Sequence, residues 1–263
     1  MTLLFHDSFS HGLRVRAPNG RAAAGPWSLR PAGRLTAGDG VARPAANGGG
    51  LVIEPADRDP VTGQPRFAVS PPGEPVDHLR WSAFGPSLET AGATLTFSAM
   101  LSAETWGEKA DEVGEGSGAL IALDREAGLV LDFALTGRRL WALYGRVPGG
   151  ANGRGGFSYS VPIAGRSSTD RHDCALVVDS GTGHARWILD GTEVFAVERL
   201  GEPLPAPARP DSSTPGALEL VRSSFLVPGM ALIAETPHGQ GIRFGVGPLS
   251  VVRSSTTAEV TAY

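Results

Sequence analysis

The feature that most constrains this chain is Asp190-Gly191, set between two β-prone arms, His184-Ala-Arg-Trp-Ile-Leu189 and Thr192-Glu-Val-Phe-Ala-Val197. A two-residue type I′ turn needs φ > 0 at both central positions. Asp tolerates that conformation and Gly adopts it freely. Ala185, Trp187 and Leu189 fall two apart, so one face of the first arm is apolar. The segment reads as a β-hairpin inside a larger antiparallel sheet. The rest of the chain offers the same material: residues 94–102 alternate, and 119–123, 129–135, 140–144, 157–163 and 174–179 read as further strands. Residues 218–221, 230–234, 242–246 and 249–252 are expected to complete the sheets.

No stretch sustains a 3.6-residue apolar period. The 36 Gly and 21 Pro are spread over all 263 residues, as turn punctuation between short strands. These patterns predict an all-β fold: a single-domain antiparallel two-sheet β-sandwich over residues 1–263. Residues 3–9 are the expected edge strand, paired with the last strand. Residues 10–50 and 55–90 are loop-rich and are expected to form part of a cleft mouth, with Trp27 as an anchor. Residues 201–216 read as a long loop.

A net charge of −4 gives nucleic-acid binding little electrostatic support. No run approaches the roughly 20 apolar residues of a membrane span. The start carries neither a basic region nor a long apolar core, and Cys174 is the single cysteine; both point to the cytoplasm. Lys109 is the single lysine among many arginines, which reads as the coding bias of a bacterial source.

Asp7-Ser8-Phe9 near the start and Trp187-Ile-Leu-Asp190-Gly191 late in the chain resemble segments of the concanavalin A-like lectin/glucanase jelly roll, as found in laminarinase-type glycoside hydrolases and laminin-G modules. The block from Gly128 to Arg146 is similar to an uncharacterised bacterial family of that fold. The resemblance implies a concave face and a loop-built mouth. Retaining glucanases of the superfamily carry Glu-x-Asp-x-(x)-Glu on one strand. Here the corresponding strands read Ala-Leu-Ile-Ala-Leu-Asp124 and Leu-Val-Leu-Asp132-Phe, without a pair of carboxylates about 5 Å apart. Ordinary retaining glycosidase chemistry is therefore not expected.

Asp132 is the most informative single residue. Leu129, Leu131, Phe133 and Leu135 form one face of its strand and Val130, Asp132 and Ala134 the other. With Gly137-Arg138 as the turn, Asp132 stands opposite Leu143 and diagonal to Trp141. It reads as a general base or ligand anchor in a cleft, or as a carboxylate on a solvated face or paired with Arg139. His78, near Trp81, is the histidine singled out as an acid/base group. Trp81, Trp106, Arg139, Trp141, Tyr144 and Tyr159 form the candidate ligand-binding set, because flat aromatic faces stack on rings. Tyr144 shares the apolar face of Leu140 and Ala142, so packing with its hydroxyl tied up is the competing reading.

His172 and Cys174 share a strand face, where a buried thiol is expected rather than a Cys–His dyad. The acidic loop 104–115 is read as solvated rather than as a Ca²⁺ site. Gly114-x-Gly116-x-x-Ala119 lies between a loop and a strand, which rejects a dinucleotide fingerprint. No metal and no cofactor is expected.

Two function classes follow. One is a cofactor-independent enzyme shaping a small metabolite, polycyclic ones included, by acid/base chemistry: a cyclase, isomerase or lyase. The alternative is a non-catalytic carbohydrate- or small-ligand-binding module. A closed apolar site with one or two buried polar groups favours the first, and an open groove floored by exposed Trp the second. A purely structural interaction role is a third reading. The partner in the first two is a small molecule, and oligomeric state is not legible.

Overall fold

The computed structural model describes residues 1–16, 25–30, 38–46, 48–69, 77–149, 153–237 and 239–254. Its strands, in chain order, are β1 (Thr2–Asp7), β2 (Ser28–Arg30), β3 (Val41–Pro44), β4 (Leu51–Glu54), β5 (Asp57–Arg58), β6 (Pro65–Arg66), β7 (Leu79–Phe84), β8 (Leu88–Glu89), β9 (Thr94–Trp106), β10 (Ser117–Asp124), β11 (Leu129–Leu135), β12 (Arg139–Arg146), β13 (Gly156–Gly165), β14 (His172–Asp179), β15 (His184–Leu189), β16 (Thr192–Val197), β17 (Ser212–Thr214), β18 (Phe225–Ile233), β19 (Gly241–Val246) and β20 (Leu249–Ser254). No helix occurs among the described residues, and none there could cross a membrane.

Two large antiparallel sheets face each other. The first runs β16-β15-β14-β9-β19-β4-β3, with β20 on β9 and β1 on β20. The second runs β17-β13-β12-β11-β10-β18-β7-β2, with β8 on β18. The first and last strands pair, as expected from the sequence, and β1 is an edge. Thirteen-residue β9 binds the first sheet together: β14 lies along one side, and β20 then β19 along the other.

The opening hairpin forms as its residues dictate. Asp190 has φ 49° and Gly191 φ 81°, the positive pair a type I′ turn requires. The Asp190 carboxylate also accepts from the Asp173 backbone N–H at 2.9 Å and pairs with His172 Nδ1 at 2.8 Å. Trp187 is fully buried, and its indole N–H donates to the Asp132 backbone carbonyl at 2.8 Å. That bond ties the hairpin of the first sheet to the middle of the second.

The core between the sheets is continuous. Leu129, Leu131, Phe133 and Leu135 of β11 meet Phe97, Leu101, Leu176 and Trp187 from the opposite sheet. Trp27 is fully buried and donates to Asp7 Oδ2 at 2.9 Å, the anchoring role expected of it. A buried pair, Arg80 with Asp39 at 2.9 Å, fastens the segments around residues 39 and 68 to β7.

Three expectations need correction. Residues 79–84, expected within a loop-rich mouth, form β7 between β18 and β2. Residues 218–221 are not a strand: the Val221 N–H bonds to Leu200 O, and Leu218 is exposed, so no ladder forms. The Pro- and Ser-rich stretch 201–216 is not all loop, because Ser212–Thr214 pairs with β13.

Candidate functional site

The second sheet carries a second, smaller apolar cluster on the face turned away from the core. Phe84, Ala119, Ile121, Ala134, Val227, Ala231 and Ile233 are buried there, with Leu79, Val113, Leu123, Val130, Trp141 and Leu143 packed against them. Strand alternation produces this second face: whichever residues of β10, β11, β12 and β18 miss the inter-sheet core must point outward. Ala119, Ala134 and Ala231 are inaccessible to water, while Val130, Trp141 and Leu143 around them are half-buried.

Asp132 sits in the middle of that cluster. Its register partners are Ile121 on β10 and Leu143 on β12, and the row continues through Gly229 to Phe84. Only 4% of the residue is exposed, and Oδ1 is buried without a hydrogen-bond partner. Burial in this apolar setting pushes its carboxyl up to about 8. Asp132 is therefore the neutral acid at pH 7, a proton donor and not a carboxylate.

Three more buried polar atoms on this face lack partners: Trp141 Nε1, Ser82 Oγ and Ser117 Oγ. Trp141 pairs in register with Ala134, which places it diagonal to Asp132, as the sequence implied. Each such atom costs about 1–3 kcal/mol when left unsatisfied.

Arg139 lies exposed at the start of β12, on the same face as Trp141, its guanidinium carbon 5.9 Å from the Trp141 ring centre. It makes no ion pair with Asp132; the alternative of an Asp132–Arg139 pair is not what forms. The other candidates are placed elsewhere. Trp81, Tyr144 and Tyr159 belong to the inter-sheet core, because their positions on β7, β12 and β13 alternate inward. The Tyr144 hydroxyl donates to Glu202 O at 2.7 Å and accepts from the Gly201 N–H at 2.9 Å. Tyr159 stacks on Tyr144 at 6.2 Å. Trp106 ends β9 of the first sheet, under the Arg243 guanidinium at 5.3 Å. His78 is exposed just before β7. It lies six residues along the chain from Phe84, and three inter-strand steps (about 14 Å) separate β7 from β11, so it does not meet Asp132.

The serines are the residues that sequence reading missed. A lone Ser in an apolar strand carries no signal until its neighbours across the sheet are known.

Cys174 is buried and its thiol is pushed up by that burial, with no dyad to His172, which turns to Asp190. On the acidic loop, Glu115 is occupied by Lys109 at 2.6 Å and by Thr236. Among the described residues no group of three or more His, Cys, Asp or Glu is disposed to hold a metal ion.

Solved structures share the architecture at low identity. An endo-acting O-glycanase of human gut microbiota matches 97% of this chain and 91% of its own, at 12% identity and TM-score 0.53. A glycoside hydrolase family 16 endo-glucanase from Bacteroides ovatus matches 95% and 100%, at 9% identity and TM-score 0.52. A botulinum neurotoxin serotype G binding domain matches 93% of this chain at 8% identity and TM-score 0.45, and this chain spans about half, 47%, of that one. The first two establish the concanavalin A-like jelly-roll fold expected from the sequence. No functionally curated protein matches the chain. One family matches residues 6–255, nearly the whole chain, and the protein belongs to it: a family of unknown function (DUF6081).

Proposed function

We propose that the outer face of the second sheet is an active site for a small, largely apolar molecule, with Asp132 as its general acid. The observation that carries the reading is the Asp132 carboxyl, buried in an apolar cluster with Oδ1 unpartnered, a setting that pushes it up to about 8. An acid tuned near the working pH is what proton transfer to a weakly basic substrate requires. Such a group gives one proton to a substrate oxygen or double bond and regains one when the rearranged product loses it. The cycle is proton-neutral, which suits a cyclase, an isomerase or a water-eliminating lyase. Trp141 and Arg139 flank the acid and would orient the ring system.

A carbohydrate substrate or ligand is the second reading, supported by half-buried Trp141 beside Arg139 on a fold that glycoside hydrolases also use. The residues opposite Asp132 are Ile121 and Leu143, so paired-carboxyl hydrolysis is not supported.

The test is to incubate wild type and Asp132→Asn with small-molecule extracts and follow them by mass spectrometry. Wild type should give products of unchanged mass, or of mass less one water. Asp132→Asn should slow this by about 10²- to 10⁴-fold, the usual weight of one acid/base group. Activity should also fall above about pH 8, as Asp132 ionises. Equal conversion by the two proteins would overturn the role of Asp132, and no conversion by either would overturn catalysis.

A further inference from the structure

We infer a second binding site, away from Asp132, for a small carboxylate that carries hydrogen-bond donors at its other end. A cavity of about 510 Å³ opens where the β10–β11 turn meets the end of β12 and the segment 217–224. Its size suits a small molecule.

Arg146 lies in its wall and is 4% exposed. Its Nη1 is committed, donating to Gly201 O at 3.0 Å and Glu219 O at 3.3 Å. The other edge is not. Nε is buried with no partner, and Nη2 has only the Glu219 carboxylate at 3.7 Å, on a side chain that is 78% exposed. A guanidinium presenting Nε and Nη2 side by side matches the two oxygens of one carboxylate. Arg222, exposed on the same wall, enters none of the ion pairs made among the described residues and supplies a second positive charge.

Two carboxylates also line the cavity, Asp124 lying across Leu129 from Arg146. Asp124 uses Oδ1 to accept from the backbone N–H groups of Glu126 and Ala127, which leaves Oδ2 without a bond. Glu126 stands beside it. Arg154 fixes this turn from below, donating to Glu126 O at 2.7 Å and Val147 O at 3.0 Å. Gly128 permits that approach, since a Cβ there would lie 2.8 Å from Arg154 Nη2. A dianion such as phosphate would bring its second charge against Asp124 and Glu126. A monocarboxylate with hydroxyl or amide N–H donors at its far end meets both groups of charges. Polyhydroxy acids and amide-bearing amino acids share this chemistry.

The experiment is calorimetric titration of the full chain with sodium gluconate, L-glutamine, D-glucose and inorganic phosphate. Gluconate or glutamine should bind saturably, with glucose and phosphate at least about tenfold weaker. Gluconate binding would mean that hydroxyls face Asp124 and Glu126, and glutamine binding that its side-chain amide N–H groups do. Arg222→Gln should weaken that binding about tenfold without moving Tm, because Arg222 holds no structural bond. Arg146→Gln should abolish it; should that variant fail to fold, Arg222→Gln decides. Asp132→Asn should bind normally, so failure here and failure of the acid-catalyst reading are separable. Absence of saturable binding by either carboxylate, equal binding of phosphate or glucose, or an unchanged Arg222→Gln affinity would each overturn the site.

Discussion

Glu54 and Asp132 are buried alike, at 5% and 4% exposure, yet their chemistry is opposite. Burial alone would raise the Glu54 carboxyl too. Hydrogen bonds and charge from Arg58 at 2.6 Å and Arg243 at 2.7 Å outweigh it and hold the group below the usual range, with Arg43 at 3.3 Å as a third partner. Asp132 meets Ile121, Leu143, Ala134 and Val130 and has no cation to answer it. Glu54 is a structural anion that holds β3, β4 and β19 together. Asp132 is a neutral acid that stability alone does not explain. Depth of burial therefore says little about role; what surrounds the buried group decides it.

The largest expected effect tests the two carboxyls by pH. Unfolded Asp132 releases its proton near pH 4, whereas the folded protein keeps it to about pH 8. Between those values the native state binds the extra proton, so rising pH lowers its stability, by up to about 1.4 kcal/mol per pH unit. Urea unfolding at pH 4.5 and 7.5 should show wild type losing about 3–5 kcal/mol relative to Asp132→Asn. Parallel pH curves for the two proteins would remove the raised carboxyl.

Next in size, Asp132→Leu should stabilise the protein by about 1–3 kcal/mol at pH 7, because an apolar side chain satisfies the cluster that the carboxyl disturbs. A loss of stability would mean that Asp132 has a partner in the folded state.

Glu54→Gln should cost about 1–2 kcal/mol, modest because its arginines are themselves 41–58% exposed and screened. The sign with pH is reversed here. The Glu54 contribution is complete above the unfolded carboxyl's range and disappears as pH falls through its lowered folded value. A Glu54→Gln penalty that grew on acidification would contradict the ion cluster.

The smallest effect separates turn from charge at the hairpin. Asp190→Asn keeps a residue that tolerates φ 49° but weakens the pairing with His172 that holds Asp190 low. It should cost about 0.5–1 kcal/mol at low ionic strength and less in high salt, which screens this part-exposed pair. Equal Tm losses at both salt concentrations would assign the cost to the turn instead.

Much of the fold was legible locally. Alternation located β9, β11 and β14–β16, and Asp-Gly located their hairpin, because both signals act over a few neighbouring residues. The split of β11 into a core face and an Asp132 face was legible for the same reason. Trp81, Tyr144 and Tyr159 were misleading as ligand contacts because aromatic residues serve cores and clefts alike, and only strand parity within the assembled sheet separates them. Residues 218–221 looked like a strand because their apolar content exceeds what one buried residue, Val221, needs.

By itself, the sequence determined the class of fold and the register of its central hairpins, since side-chain alternation and turn stereochemistry are properties of adjacent residues. Only the tertiary structure decided that Asp132 meets no cation while Glu54 meets three, and that Ser82, Ser117 and Trp141 join Asp132 on one face. Those outcomes depend on which strands lie side by side across long loops. The electrostatics of a buried group is set by atoms near it in space, wherever in the chain they come from.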